Sequence, residues 1–119
     1  MKRALFLFWI FWVGTASSQA QPIRAVTETT PYTYIEGDKV VGTATEVVEL
    51  TLQRAGLKDY SVHLYPWARA YDMALKEPSV LIFLIARTPA REQQFRWAGE
   101  IMKIQYHLYR LKSRKLDIS

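Results

Sequence analysis

Cysteine is absent from all 119 residues, so the chain has no disulfide framework, no thiolate nucleophile and no cysteine metal site. Histidine occurs only as His63 and His107, which offer no metal-ligand spacing. Glycine and proline number five each; they punctuate the chain singly, and no internal repeat, low-complexity stretch or linker is present. No apolar run reaches the roughly 20 residues that a membrane-spanning helix needs. A dense Lys/Arg stripe is missing before Arg110 to Lys115, and there is no RNP-type aromatic motif, which argues against nucleic acid as a partner. Nothing pairs a carboxylate with a histidine or with a second carboxylate, so no general acid–base pair is marked.

What is present begins at the N-terminus. Lys2 and Arg3 precede an apolar stretch from Ala4 to Val13, and a polar run ends in Ser18-Gln19-Ala20. A basic n-region, a short h-region and a small-x-small site predict a secretory signal peptide over 1–20, with the mature chain starting at Gln21. An uncleaved membrane anchor is the alternative. Loss of Lys2 and Arg3 would lower the formal charge from +5 to +3. Export implies a periplasmic domain that relies on its core for stability. Its length suits one small domain.

The remaining pattern is α/β. Ile23 to Thr27 reads as a first strand, and Glu36-Gly37-Asp38 as the turn of a hairpin between Tyr32–Ile35 and Lys39–Val41. Thr43 with Glu46 predicts a capping box. Ala44, Val47, Val48, Thr51, Leu52 and Ala55 then mark one helical face, which Gly56 ends. Ser61–Tyr65 and Val80–Ile85 read as further strands, with a helix over Trp67–Lys76 between them. Thr88 and Pro89 predict a short third helix. The loose alternation of Ile104–Leu111 predicts another strand of the central sheet. Strand–helix–strand–helix–strand implies parallel pairing with right-handed crossovers.

Two corners carry the chemistry. Tyr65-Pro66-Trp67-Ala68-Arg69-Ala70 and Ile85-Ala86-Arg87-Thr88-Pro89-Ala90-Arg91-Glu92 each follow a strand and turn through proline. Ligands of open α/β sheets sit outside the carboxyl ends of the strands. Guanidinium and indole groups there predict one wall of a site for a small anionic or zwitterionic molecule.

Five segments in register resemble the bacterial solute-binding proteins of family 3, the periplasmic receptors of polar-amino-acid ABC importers. They are Thr30-Pro31-Tyr32-Thr33-Tyr34, Lys39-Val40-Val41-Gly42, Pro66-Trp67-Ala68-Arg69-Ala70, Ala86-Arg87-Thr88-Pro89-Ala90-Arg91-Glu92 and Phe95-Arg96-Trp97-Ala98-Gly99. The resemblance implies two α/β lobes clamping a ligand, with residues 21–119 covering most of lobe one and Tyr106 to Lys112 crossing towards lobe two. It implies that Arg91 binds a ligand carboxylate and that a membrane permease is the partner. The family usually places small hydroxyl residues just before the Thr-x-x-Arg turn. Leu84, Ile85 and Ala86 stand there instead, which weakens an ordinary amino acid as ligand. One wall alone is expected to bind weakly.

The candidate ligand-binding residues are therefore Tyr32, Trp67, Arg69, Arg87 and Arg91, with no metal or cofactor expected. Each has a plainer alternative. For Arg91 the alternative is pairing in solvent with Glu92 or Glu100, and for Arg87 a solvated loop arginine. For Trp67 and Tyr32 the alternatives are packing on the sheet and on Tyr34 respectively. Tyr65, Tyr71, Phe95 and Trp97 read as packing residues. A non-enzymatic receptor is expected. A cyclic-acid dehydratase using Glu28 or Glu100 and a sensory module of a membrane receptor are the alternatives on the same fold.

Overall fold

A computed structural model describes residues 20–113; the expected signal peptide, apart from Ala20, lies outside the described residues. The elements run β1 (Ile23–Thr27), β2 (Tyr34–Glu36), β3 (Lys39–Val41), α1 (Thr43–Arg54), β4 (Tyr60–Leu64), α2 (Trp67–Lys76) and β5 (Val80–Ile82). The fold is α/β. Strands β4, β1 and β5 form a parallel sheet in that spatial order, while β2 and β3 form a separate antiparallel hairpin.

Strand β1 is central. Its register sets Thr27 against Leu64 on one side and Val26 against Ile82 on the other. Ala25 and Val26 are both fully buried, and successive strand side chains face opposite ways. Ala25 joins Ala44, Val48 and Leu52 of α1 together with Phe83, whereas Val26 joins Ala70 and Met73 of α2. The helices therefore cover opposite faces of the sheet. The chain crosses from β1 to β4 and then back past β1 to β5, and two crossovers of one hand running in opposite directions require that arrangement. The reversal makes the carboxyl ends of β1 and β5 a topological switch point, where sheets of this kind open a crevice.

Of the predicted face, helix α1 buries Ala44, Val48 and Leu52, each larger side chain contributing about 1.5–3 kcal/mol by leaving water. Val47, Thr51 and Ala55 are exposed instead, Val47 and Thr51 facing an open groove beside β5. Gly56 ends it at φ 77°. There the Gly56 N–H donates to Gln53 O at 3.0 Å and the Leu57 N–H to Leu52 O at 2.9 Å, satisfying two terminal carbonyls. The start corrects the sequence reading. Gly42, not Thr43, is the N-cap, and no side chain caps the helix. The Glu46 N–H, which a Thr43–Glu46 box would cap, donates instead to Gly42 O at 3.0 Å, and the Ala44 N–H donates to the Tyr32 carbonyl at 3.0 Å. Behind it the buried hydroxyls of Thr33 and Thr45 lie 2.8 Å apart, tying the loop after β1 to the helix.

Three further expectations are corrected. Strand β5 ends at Ile82 rather than Ile85, because Leu84 adopts φ 56°, which no strand continues. The expected helix after Thr88 is only a series of turns over 89–94. So short a segment gains too little to cover helix nucleation, and its side chains are held elsewhere, Glu92 by Arg87 and Gln94 by Tyr71. Residues 104–111 have β-like composition but form no strand; alternation supplies a pleated face, not a ladder partner.

Gly42 yields a test. Its φ is 123°, and a Cβ there would lie 2.7 Å from the Tyr32 carbonyl carbon, whereas a Cβ on Gly37 at φ 60° meets nothing within 4 Å. Gly42→Ala should destabilise by about 1–3 kcal/mol or more and Gly37→Ala by clearly less, as read by urea unfolding. Equal losses would show that the Tyr32–Gly42 contact does not constrain the fold.

Candidate functional site

The carboxyl edge of the sheet is fixed from below by Thr27. Its buried hydroxyl donates to the Phe83 carbonyl at 2.8 Å, and the Phe83 N–H donates to Val26 O at 3.2 Å. The β5 chain is thus held to β1 one residue before Leu84 turns it away. A non-glycine residue in the left-handed region carries local strain of about 1–3 kcal/mol. Here that turn delivers Ala86 to Arg91 to the edge where β1 and β4 also end.

All five candidate residues follow the carboxyl ends of strands: Tyr32 after β1, Trp67 and Arg69 after β4, Arg87 and Arg91 after β5. Contacts join only three of them. The Arg91 guanidinium lies 6.0 Å from the centre of the Trp67 ring and 5.4 Å from that of Tyr71. From Tyr71 a ring-to-ring series continues through Phe95 at 5.5 Å to Trp97 at 6.0 Å. Arg87 closes it, with its guanidinium 5.3 Å from the Trp97 ring. Trp67 and Tyr71 meet because they are four residues apart on α2, with ring centres 6.0 Å apart. Arg69, two residues from Trp67, lies on the other flank of the helix and sits 4.5 Å above the Tyr65 ring. Tyr32 is 46% exposed and is held through its backbone.

The two inner arginines differ in what they can offer. Arg87 gives both arms of its guanidinium to Glu92, with Nε 2.8 Å from Oε2. That hydrogen-bonded pair raises the Arg87 pKa and holds the Glu92 carboxyl below its usual range, with the opposite charge adding in the same direction. Arg91 donates to the Ala86 carbonyl at 3.1 Å and, among the described residues, pairs with no carboxylate. Arg91 is thus a cation held by aromatic faces and a carbonyl, with its charge available to an anion. Its own N–H is satisfied by Thr88 O at 3.0 Å, so the helix N-terminus expected beside it is not there. The first turn of α2 lacks a side-chain cap and leaves backbone donors at the same edge.

The sequence reading assigned Tyr71, Phe95 and Trp97 to packing. They do pack, but as the support that joins Trp67, Arg87 and Arg91. The spacing Trp67–Tyr71 was the available signal; the contact of Phe95 and Trp97 with it depends on the turn at Leu84. His63 is hydrogen-bonded to Ser61 Oγ at 2.9 Å and stacked on Tyr65. Among the described residues no group of three or more His, Asp or Glu gathers to hold a metal, and no helix is long and apolar enough to cross a membrane.

Comparison with protein-family models, with curated proteins and with solved structures finds no match.

The Arg87–Glu92 pair carries a pH signature. Glu92 has a lowered pKa in the folded state, so the contribution of the pair is present above the ordinary glutamate range, about 4.3. It is lost as pH falls through the lowered value. A carbon-detected NMR titration should give Glu92 a midpoint below that of an exposed glutamate, and Arg87→Ala should return it to the ordinary range. An unshifted midpoint in the unaltered chain would show that the pair does not persist in solution.

Proposed function

We propose that this chain is an exported solute-binding protein whose residues 21–119 supply one wall of a ligand site. It captures a small carboxylated or amino-acid-like solute for an ABC-type importer. The reading rests on the resemblance of its five segments to family 3. It is supported chiefly by one observation: Arg91, without a carboxylate partner among the described residues, stands against Trp67 and Tyr71 at the carboxyl edge of a parallel sheet. A guanidinium takes a carboxylate through two parallel hydrogen bonds, and the adjacent aromatic faces exclude water from one side of that pair.

The geometry supports a distinct role for each residue in this reading. Arg91 binds the carboxylate and Trp67 covers the apolar part of the solute. Arg87, already engaged by Glu92, positions Trp97 and contributes field rather than a direct bond. Arg69 and Tyr32 flank the corner and meet the solute only where it extends past Trp67. One wall leaves the ion pair in water, where it contributes about 0–1 kcal/mol. Association alone costs several kcal/mol, so affinity for this wall by itself is low. Enclosure by a second surface raises it by lowering the local dielectric.

The test is an NMR titration of the chain with a panel of amino acids, dicarboxylates and uncharged analogues at millimolar concentration. The expected result is that at least one carboxylated compound shifts the indole signal of Trp67 and the side-chain signals of Arg91. Arg91→Ala should abolish that response, Arg69→Ala should weaken it less, and uncharged analogues should give none. Shifts confined to other parts of the surface, or an unchanged response in Arg91→Ala, would overturn the assignment.

A further inference from the structure

Two unsatisfied features of the molecule match each other. The first is the outer edge of β5. In its parallel ladder with β1, Ser79 O accepts from Arg24 and the Phe83 N–H donates to Val26 O. The alternation of a parallel pair then turns the backbone groups of Val80 and Ile82 away from β1. Among the described residues none of these outward groups finds a hydrogen-bond partner. They border an open groove of about 840 Å3 lined by β5, the α1 face and the segment running from Phe95 to Met102. In the wall of this groove the Trp97 Nε1–H is buried without an acceptor. A buried donor without a partner is costly, and an exposed strand edge is a template for pairing.

The second feature is the segment from Ile104 to Leu111. Its residues, Ile-Gln-Tyr-His-Leu-Tyr-Arg-Leu, alternate loosely, Ile104, Tyr106 and Leu108 sharing one strand face, and are rich in aromatic and aliphatic side chains. Yet it forms no strand, and Tyr106, Leu108 and Tyr109 are 86%, 97% and 89% exposed. Of this segment only Ile104 and Tyr106 line the groove of their own chain. Ile101 and Met102 are packed against the α1-side core, and after Tyr106 the chain no longer lines the groove.

We propose that the β5 edge and its groove receive residues 104–111 of a second copy of this chain. The exchange adds a fourth strand to each sheet. Carbonyls of the incoming strand accept from the outward N–H groups of β5, one of its polar groups reaches Trp97 Nε1, and its alternate side chains enter the apolar groove. Reciprocal exchange closes a two-fold dimer. The groove shares Arg87, Phe95 and Trp97 with the candidate corner but not Arg91 or Trp67, so tail-to-edge capture reads the exchange while the Arg91→Ala titration reads solute binding.

Disulfide capture in the full chain tests this without background, because the chain has no cysteine. One tagged copy carries Ser79→Cys at the exposed start of β5. A second copy, with a different tag, carries one of Tyr106→Cys, Leu108→Cys or Arg110→Cys. On mild oxidation at least one of these combinations should give a disulfide joining the two tags. The band should disappear when His107→Pro is added to the second copy, since proline removes a ladder donor from a segment that has no regular structure of its own. When Ser79→Cys and the productive tail cysteine are placed in one polypeptide, the product should be a covalent dimer. No disulfide between tags at any position, an internally bridged monomer from the double variant, or capture that survives the proline would each overturn the proposal.

Discussion

Everything at the candidate site depends on the way β1 is held. Two adjacent side chains, Ala25 and Val26, are buried on opposite faces of a strand that has a parallel neighbour on each side. That fixes which helix covers which face and places the reversal of strand order between β1 and β5. At the end of the strand the Thr27 hydroxyl engages the Phe83 carbonyl, so β5 is released from the sheet at a defined residue. Leu84 then turns the chain in a conformation that a strand does not use. The clamp adds to the backbone bond from the Phe83 N–H to Val26 O, so Phe83 is held to β1 through both its donor and its acceptor.

The corner so delivered is held together by rings and guanidinium groups rather than by a network of opposite charges. Arg91 is positioned by Trp67, Tyr71 and the Ala86 carbonyl, none of which neutralises it. Arg87 is neutralised by Glu92 and lies against Trp97. Two arginines four residues apart in sequence are thus held in opposite ways. One is paired within the structure, and the other has no carboxylate partner among the described residues. Each cation–aromatic contact contributes about 0.5–1 kcal/mol when exposed, enough to orient a side chain and too little to resist a ligand that repositions it.

Much of the sheet was legible because burial on both faces and helical periodicity leave strong patterns. Ile23–Thr27, the hairpin around Gly37 and the long helix ending at Gly56 could be read from local chemistry alone. Other features depend on partners that a local pattern does not name. Leu84 looks like the middle of a strand, and only its link to the turn of the chain after Phe83 gives it φ 56°. Thr43 and Glu46 have the spacing of a capping box, but the helix begins one residue earlier and Gly42 O takes the Glu46 N–H. Ile104–Leu111 has strand character with no ladder in its own domain. At the site, the residue types and the sheet edge were legible; that Arg87 is paired, that Arg91 is not, and that Arg69 lies on the other flank of α2 were not, because each depends on side-chain geometry across elements.

The clamp between Thr27 and Phe83 is the most direct point at which to probe this account. Thr27→Val keeps the shape of the buried side chain and removes only its hydroxyl, leaving the Phe83 carbonyl without that donor at a cost of about 1–3 kcal/mol. The measurement is a heteronuclear NMR spectrum of the variant, with the indole N–H signals of Trp67 and Trp97 assigned through Trp67→Phe and Trp97→Phe. If β1 sets the corner through this bond, the signals of Ala25 and Val26 will persist while both indole signals shift or broaden. Indole signals that stay in place in a folded Thr27→Val chain would contradict it.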